Sequence, residues 1–463
     1  VSLDGFLWSV LMNPESTRPF WQRFSLFLIP LMASNILQAL SGTFNSIFIG
    51  QMIGVDALAA LATFFPILFF LISFLIGLSA GSTTLIGQAW GARNIDRVKA
   101  IAGTTMTAAF TLGLVVALFG GFFIEDIMGL LGAPENIRHM SVEYGRIMFL
   151  GMPGFFIFLV VTSILRGVGD TITPLFSLIL SLVVGVILTP AFIAGWWGLP
   201  QLGVNSAAWA FIAGFVVVLA FLFFYMRARK MPLAPDAAML RALKPDLKLL
   251  GLVLKLGIPA GLQMVVASVA GIVVIGLVNR FGSNATAAYG ALNQVLNYVQ
   301  FPAMSIGIAT SIFGAQAIGA RRQEQLGEIT RTALTMNLII TGVLIVLAYL
   351  FSQHLVSLFI TDPEVVELTE YLLHIVLWAI LPFGWGVVFS GMMRASGMVY
   401  APMLLALAAI LLIELPGAIW LSQTSLGLAG IWVAYAASFT GMMLMQGAWY
   451  HFVWKQKKIV ALV

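Results

Sequence analysis

The chain has 463 residues, 60% of them hydrophobic and only 9% charged, with a mean hydropathy of +1.02 and a net charge of +5. Soluble domains carry about 25% charged residues, so this chain cannot clothe itself in polar surface, and water is excluded as its main solvent. Cysteine is absent, which excludes disulfides and thiol chemistry.

The N-terminus shows no basic region leading into an apolar run and a small-residue cleavage site, so no cleaved signal peptide is expected. Residues 1–23 read as an interfacial segment, with Phe6, Trp8 and Trp21 at headgroup level. A spanning helix needs roughly 20 mostly apolar residues. Twelve such stretches are predicted, at 24–50, 57–82, 99–123, 140–165, 172–195, 202–226, 249–278, 285–312, 329–352, 366–392, 400–421 and 427–453. The fold class is therefore an all-α polytopic membrane protein.

The longest polar break, "RARKMPLAPDAAMLRALKPDLK" at 227–248, holds three prolines near mid-chain and reads as a cytoplasmic linker. It separates a lobe of six helices over 24–226 from a second over 249–453, and residues 454–463 form a cytoplasmic tail. The halves repeat each other. "GQAWGAR" at 87–93 returns as "AQAIGAR" at 315–321, and "LRGVGDTITP" at 165–174 returns as "MRASGMVYAP" at 393–402. "LIP" at 28–30 returns as "GIP" at 257–259. Several polar and glycine matches at nearly one offset mark an internal duplication. Six spans per repeat make the repeats parallel, with a cleft expected between them.

Twenty of the 23 lysines and arginines fall on one side of the predicted bilayer, and only Arg138, Arg146 and Arg280 on the other. The positive-inside rule then puts both termini in the cytoplasm. The repeated Gly91, Gly319, Gly169 and Gly397 suit tight turns, and Arg93, Arg321, Arg166 and Arg394 suit helix C-termini or lipid phosphates. Their plainest reading is structural and topological, so none is assigned to substrate.

Catalytic signatures are missing. There is no GxxxxGK[ST] for ATP drive and no HExxH. His139, His354, His374 and His451 are scattered. "GVGD" at 167–170 has the look of an intramembrane aspartyl protease motif, but Asp170 lies in a basic turn without a second intramembrane aspartate. The aspartate and Arg-Gly-Arg cluster of major facilitator loops is also missing. The chain reads as no enzyme, with no cofactor and no nucleic-acid partner.

The doubled Gln-x-x-Gly-Ala-Arg pattern, the "LRGVGDTITP" turn with its second-half mate, and "GVNSAAWA" at 203–210 together resemble the multidrug and toxic compound extrusion (MATE) family. The match runs over residues 20–450. The resemblance implies two six-helix lobes forming a V. It implies substrate and coupling cation bound within the membrane, and export driven by a proton or sodium gradient. This chain departs from the family at the acids many bacterial members carry. Asn45 stands late in the first span, Thr189 before the proline of the fifth, Ala267 in the seventh and Phe383 in the tenth.

Glu414, in "ILLIELPG" at 410–417, is then the one carboxylate predicted deep in the bilayer. A lone charged carboxylate there is costly, so it is expected to be protonated, paired or cation-bound. At ~1.5 Å rise per residue, it lies ~20 Å from the cytoplasmic start of its span. Counted from the far side, Asn293, His374 and Tyr435 are each ~12 Å deep, so all four are expected at one level. Asn293 and Asn297 share a helix face. Pro416 frees the carbonyl of Leu412 as a further oxygen ligand. The alternative for Glu414 is a protonated side chain bonding a neighbouring helix.

The expected coupling set is thus Glu414, Asn293, Asn297, His374 and Tyr435, with Glu414 as ligand of a monovalent cation (Na+ or H+). Asn45, Thr189, Gln263 and Trp378 are candidates for the substrate cleft. His374, Trp378 and Trp385 are expected down one face of the tenth span. Partners are a small-molecule substrate and the lipid bilayer, with the monomer as functional unit in a bacterial inner membrane. The function expected is a cation-coupled antiporter exporting drugs or small amphipathic metabolites. A dedicated exporter of one natural product is the alternative. A lipid-linked precursor flippase fits less well, because no intramembrane Lys or Arg cluster is visible.

Overall fold

The computed structural model describes residues 19–131 and 134–463; Phe6 and Trp8 lie outside them. Among the described residues, twelve helices are long and apolar enough to cross a membrane. They are α1 Phe20–Met52, α2 Asp56–Gly91, α3 Ile95–Leu130, α4 Glu135–Gly167, α5 Ile172–Ala194, α6 Asn205–Ala228, α7 Leu247–Asn279, α8 Ser283–Gly319, α9 Gln325–Leu350, α10 Pro363–Ala395, α11 Tyr400–Leu421 and α12 Leu428–Gln456. Several run one or two turns beyond the predicted apolar stretches. α2 and α8, for example, stay helical through the polar repeat sequences. Hydropathy marks where hydrocarbon ends, whereas a helix ends where its backbone bonding is broken. Trp21 is exposed in the first turn of α1.

The chain forms two compact units. One comprises Ile29–Trp90 and Asn94–Ile258, and the other comprises residues 19–28, Gly91–Arg93 and Pro259–Val463. α1 and α7 are each shared between the units, and the divisions fall beside Pro30 and Pro259, the prolines of the repeated "LIP" and "GIP". A proline lacks the N–H that would bond the preceding turn, so each first helix of a repeat is weakened where it changes unit. In the first unit, the start of α7 lies directly on α2. A side chain on Gly81 would strike the backbone of Val253 and Gly257, and one on Gly257 would strike Gly77. Gly77 and Gly81 are four apart, the small-residue spacing that lets membrane helices touch through their backbones.

The repeated turns divide their work unevenly. Gly169 and Gly397 take positive φ, +98° and +82°. Gly91 does not: it is the last residue of α2, and a side chain there would strike the Gln316 backbone. The left-handed residues after it are Arg93 and, in the second repeat, Arg321, at φ 57° and 58°.

α10 and α11 are not continuous α-helices. α10 passes through a 3-10 turn at Leu377–Ala379. α11 passes through a π-helical segment at Ala409–Glu414.

Candidate functional site

Glu414 closes that π-helical segment, two residues before Pro416. Because proline cannot donate to the preceding turn, regular bonding cannot pass through it. The wider bonding of a π-helix appears immediately before, with the Leu415 N–H on the Ile410 carbonyl. Such segments re-aim side chains. Glu414 is left only 6% exposed. Ser438 on α12 supplies its hydrogen bond, with Oγ donating to the carboxylate at 3.3 Å and to the Ala409 carbonyl at 3.1 Å. The backbone oxygen sharing that donor is Ala409's. The Leu412 side chain is exposed.

Glycines allow α12 this close to α11. An added Cβ would stand 3.1 Å from Ala434 Cβ at Gly417, 2.6 Å from the Leu421 carbonyl at Gly430, and 2.5 Å from Ile413 Cδ1 at Gly441. Near the carboxylate, Tyr435 and Tyr289 lie close to each other, both with their rings against Trp432. The Asn293 amide donates to the Tyr289 carbonyl at 2.9 Å. An aromatic column runs from Tyr289 through Trp432 and Tyr435 to Phe439, with ring centroids 5.7, 5.4 and 6.1 Å apart. Phe383 continues it, 5.0 Å from Phe439. Trp432 is fully buried within the column, and its Nε1 has no acceptor.

Of the expected coupling set, Tyr435 therefore lies near Glu414, and Asn293 is bonded to the Tyr289 backbone. Asn297 lies exposed one turn beyond Asn293. His374 belongs to a different cluster. Its Nε2 is 3.1 Å from Ser352 Oγ and 3.9 Å from Glu370 Oε1, and the Tyr349 hydroxyl donates to its carbonyl at 2.9 Å. Ser352 Oγ also bonds Glu370 at 2.5 Å. Equal depth did not make these residues neighbours. The His374 half of α10 packs on α8 and α12, whereas the Glu414 segment of α11 packs chiefly on α12.

Gln263 accepts from Arg394 at 2.7 Å. Arg394 thus stands in the last turn of its helix, the first of its two expected places, and is half-buried against Gln263. Trp378 sits on the 3-10 turn, exposed like His374. The face expected to continue to Trp385 does not: that indole is turned against α9 and donates to the Leu334 carbonyl at 3.2 Å.

In the first unit, Thr189 Oγ1 donates to Asn45 Oδ1 at 3.1 Å, joining α5 to α1. The repeat replaces this polar pair with Val274 and Leu415, which pack in one apolar cluster with Ala418, Ile431 and Ala434. In the second unit the polar group has moved one residue back, to Glu414, and faces α12. Tyr289 and Ser438 were missed in the sequence because each is an ordinary residue type in an apolar run. The signal for Ser438 was the Gly430–Gly441 spacing around it on α12. Among the described residues, no three His, Asp or Glu side chains converge as metal ligands.

The MatE family model matches the chain twice, over residues 30–191 and again over residues 259–420. The chain belongs to the MatE family. Both edges of the second match lie 229 residues after those of the first, the offset of the "LIP" and "GIP" prolines. A MatE protein is a membrane transporter and not an enzyme, and this chain is a multi-pass one, with twelve spans among the described residues. "Probable multidrug resistance protein YoeA" of Bacillus subtilis is 45% identical over 455 residues, covering 98% of each chain. An "FAD transporter" of Shewanella oneidensis is 26% identical over 372 residues, covering 80% of this chain and 81% of that one. A mutant of the Vibrio cholerae MATE transporter VcmN superposes with a TM-score of 0.87 at 20% identity, covering 95% and 98% of the two chains. At that identity the structural likeness speaks for the fold alone.

Proposed function

We propose that this MatE protein exports drugs and small amphipathic metabolites across a bacterial cytoplasmic membrane, with both termini inside, in exchange for a monovalent cation or proton. Family membership and the multidrug name of the 45%-identical relative support the export reading. The coupling reading rests on one observation: Glu414, a buried carboxylate on a π-helical segment, bonded by Ser438 and flanked by two phenols. A charged carboxylate within a bilayer is costly without a partner. Its oxygens, Ser438 Oγ and the Ala409 carbonyl form the kind of oxygen set that holds a hard monovalent cation. A proton on Glu414 satisfies the same site. Loading and unloading this group as the protein changes the side it opens to ties substrate movement to the gradient.

The energy suffices. One charge crossing ~100 mV releases ~2.3 kcal/mol, and a tenfold gradient adds ~1.4 kcal/mol, together supporting roughly 500-fold accumulation of a neutral substrate. The test is efflux of a fluorescent amphipathic dye from proteoliposomes under imposed sodium or proton gradients. Full gradient-driven efflux in Glu414→Gln would overturn the coupling role. A second reading, a dedicated exporter of one metabolite, is favoured by the single-substrate name of the Shewanella relative. Competition of unrelated drugs against dye efflux separates the two, since a dedicated exporter ignores them.

A further inference from the structure

The linker between the repeats is fastened onto the first unit. Lys99 Nζ on α3 pairs with Asp236 at 2.7 Å, and Asp236 caps the short helix Ala237–Ala242 through the Met239 N–H. The Thr107 hydroxyl donates to the Leu243 carbonyl at 2.7 Å, and the Asp246 N–H donates to Thr104 Oγ1 at 3.2 Å. Gly103 lets the Ala242 backbone lie directly on α3. Met231, Leu233, Ala234 and Met239 are buried on the inner side of this roof.

Beneath the roof is a cavity of about 260 Å3 between α3, α4 and α6. Met106, Val161, Leu165, Leu219 and Met226 line it, and no lining side chain is polar. It is covered incompletely along α6, where Phe223 at its edge is 42% exposed. Phe224 and Val216 on α6 and Phe110 on α3 are exposed as well, as helix surfaces in contact with lipid are. Immediately after Met226 the chain carries Arg227, Arg229 and Lys230, all exposed, on the side the basic residues mark as cytoplasmic. The Arg229 guanidinium lies over the Tyr225 ring at 5.6 Å.

A wall without hydrogen-bonding groups rejects the polar part of any ligand and accepts hydrocarbon. The cations next to it attract an anionic headgroup, as basic clusters beside spans do. We propose that this cavity holds an acyl chain of an acidic phospholipid from the cytoplasmic leaflet, its headgroup phosphate lying on Arg227, Arg229 and Lys230. The site is distinct from Glu414 and does not depend on the export reading. Its occupant fills the space under the linker and holds the roof on α3.

The chain lacks cysteine, so one introduced cysteine takes one fluorophore. A bimane label at Phe223→Cys, on the cavity edge, is compared with one at Leu118→Cys, 70% exposed on α3. Both are reconstituted in phosphatidylcholine with increasing acyl-brominated phosphatidylglycerol. The expected result is half-maximal quenching at Phe223→Cys at a mole fraction at least fivefold below that at Leu118→Cys. Brominated phosphatidylcholine should show no such difference. Val161→Phe, which fills the cavity, should bring the two labels together. Replacing Arg227, Arg229 and Lys230 by Gln, an exposed change that leaves the packing intact, should raise the half-maximal fraction at least threefold. Equal quenching at both labels overturns the proposal, as does equal quenching by the two lipids at Phe223→Cys. Displacement of the brominated lipid by an exported dye would overturn it too, assigning the cavity to substrate.

Discussion

Ser438 Oγ stands between two acceptors, 3.3 Å from the Glu414 carboxylate and 3.1 Å from the Ala409 carbonyl. One hydroxyl proton cannot satisfy both fully, so the bond to Glu414 is a shared one. Glu414→Gln keeps the volume and removes the charge. We expect it to reduce gradient-driven efflux at least tenfold while downhill substrate exchange survives. Ser438→Ala removes one hydrogen bond worth ~1 kcal/mol. It should weaken the cation dependence of efflux about fivefold, a deficit higher cation concentration overcomes. Titrating efflux against sodium and pH checks both.

Tyr435 contributes a ring to the stack on Trp432 and a phenol to the pair with Tyr289. The two roles separate by substitution. Tyr435→Phe keeps the stack, so thermal stability in detergent should hold while cation dependence shifts. Tyr435→Ala loses the stack as well, worth ~0.5–1.5 kcal/mol beyond burial, and the melting temperature should fall with activity. A fall in melting temperature for both would assign the phenol to structure alone.

Gly430 and Gly441 look equivalent in sequence, but they face different neighbours. A Cβ at Gly430 meets the Leu421 backbone, which cannot yield, and one at Gly441 meets the terminal methyl of Ile413, which can turn aside. Gly430→Ala is therefore expected to cost ~1–3 kcal/mol by overpacking and to carry Ser438 away from Glu414. Gly441→Ala should be nearly neutral. Thermal melts and efflux measured on the same preparations distinguish them.

The spans, the duplication and the family were legible because they rest on long-range statistics of hydropathy and on polar motifs that recur at one spacing. Glu414 was legible as well, since a lone carboxylate in an apolar run is conspicuous. Its surroundings were only partly so. Depth along a helix can be counted from sequence, and that count grouped Asn293 and Tyr435 with Glu414. Which helices are neighbours cannot be counted, and His374 at the same depth sits with Ser352 and Glu370 instead. Pro416 signalled an irregular backbone. The π-helical form it takes, and the Ala409 carbonyl that shares the Ser438 hydroxyl with Glu414, could not be read from it.

Asp170 gives a pH prediction. It is buried in the turn between α4 and α5, where it accepts from the Ile172 and Thr173 N–H groups and the Thr173 hydroxyl. Burial pushes its carboxyl above the ordinary range, against those bonds. A raised carboxyl binds its proton more tightly folded than unfolded. Its stabilising effect is therefore full below about pH 3.9 and is lost as pH rises through the folded value. Asp170→Asn removes this dependence. Its melting temperature should change less with pH than the wild type's, and should be no lower at pH ~7. Asp170→Ala also loses the cap, at ~1 kcal/mol, and should melt lower at every pH.

Asn45 and Thr189 offer the counterpart test in the first unit. Their 3.1 Å bond joins α1 to α5 at positions where the repeat has Val274 and Leu415 in one apolar cluster. If the pair is a shared interaction, Asn45→Ala and Thr189→Ala should each cost stability, and the double variant should cost less than their sum. A coupling of ~0.5–1.5 kcal/mol is expected for one neutral hydrogen bond. Asn45→Val with Thr189→Val copies the repeat's solution and should restore much of the loss, because replacing both partners leaves no buried polar group unpaired. Neither side chain titrates, so the gradient dependence of efflux should be the same in all of these variants. A changed response to sodium or pH in the double valine variant would move part of the coupling out of the Glu414 site and into the first unit.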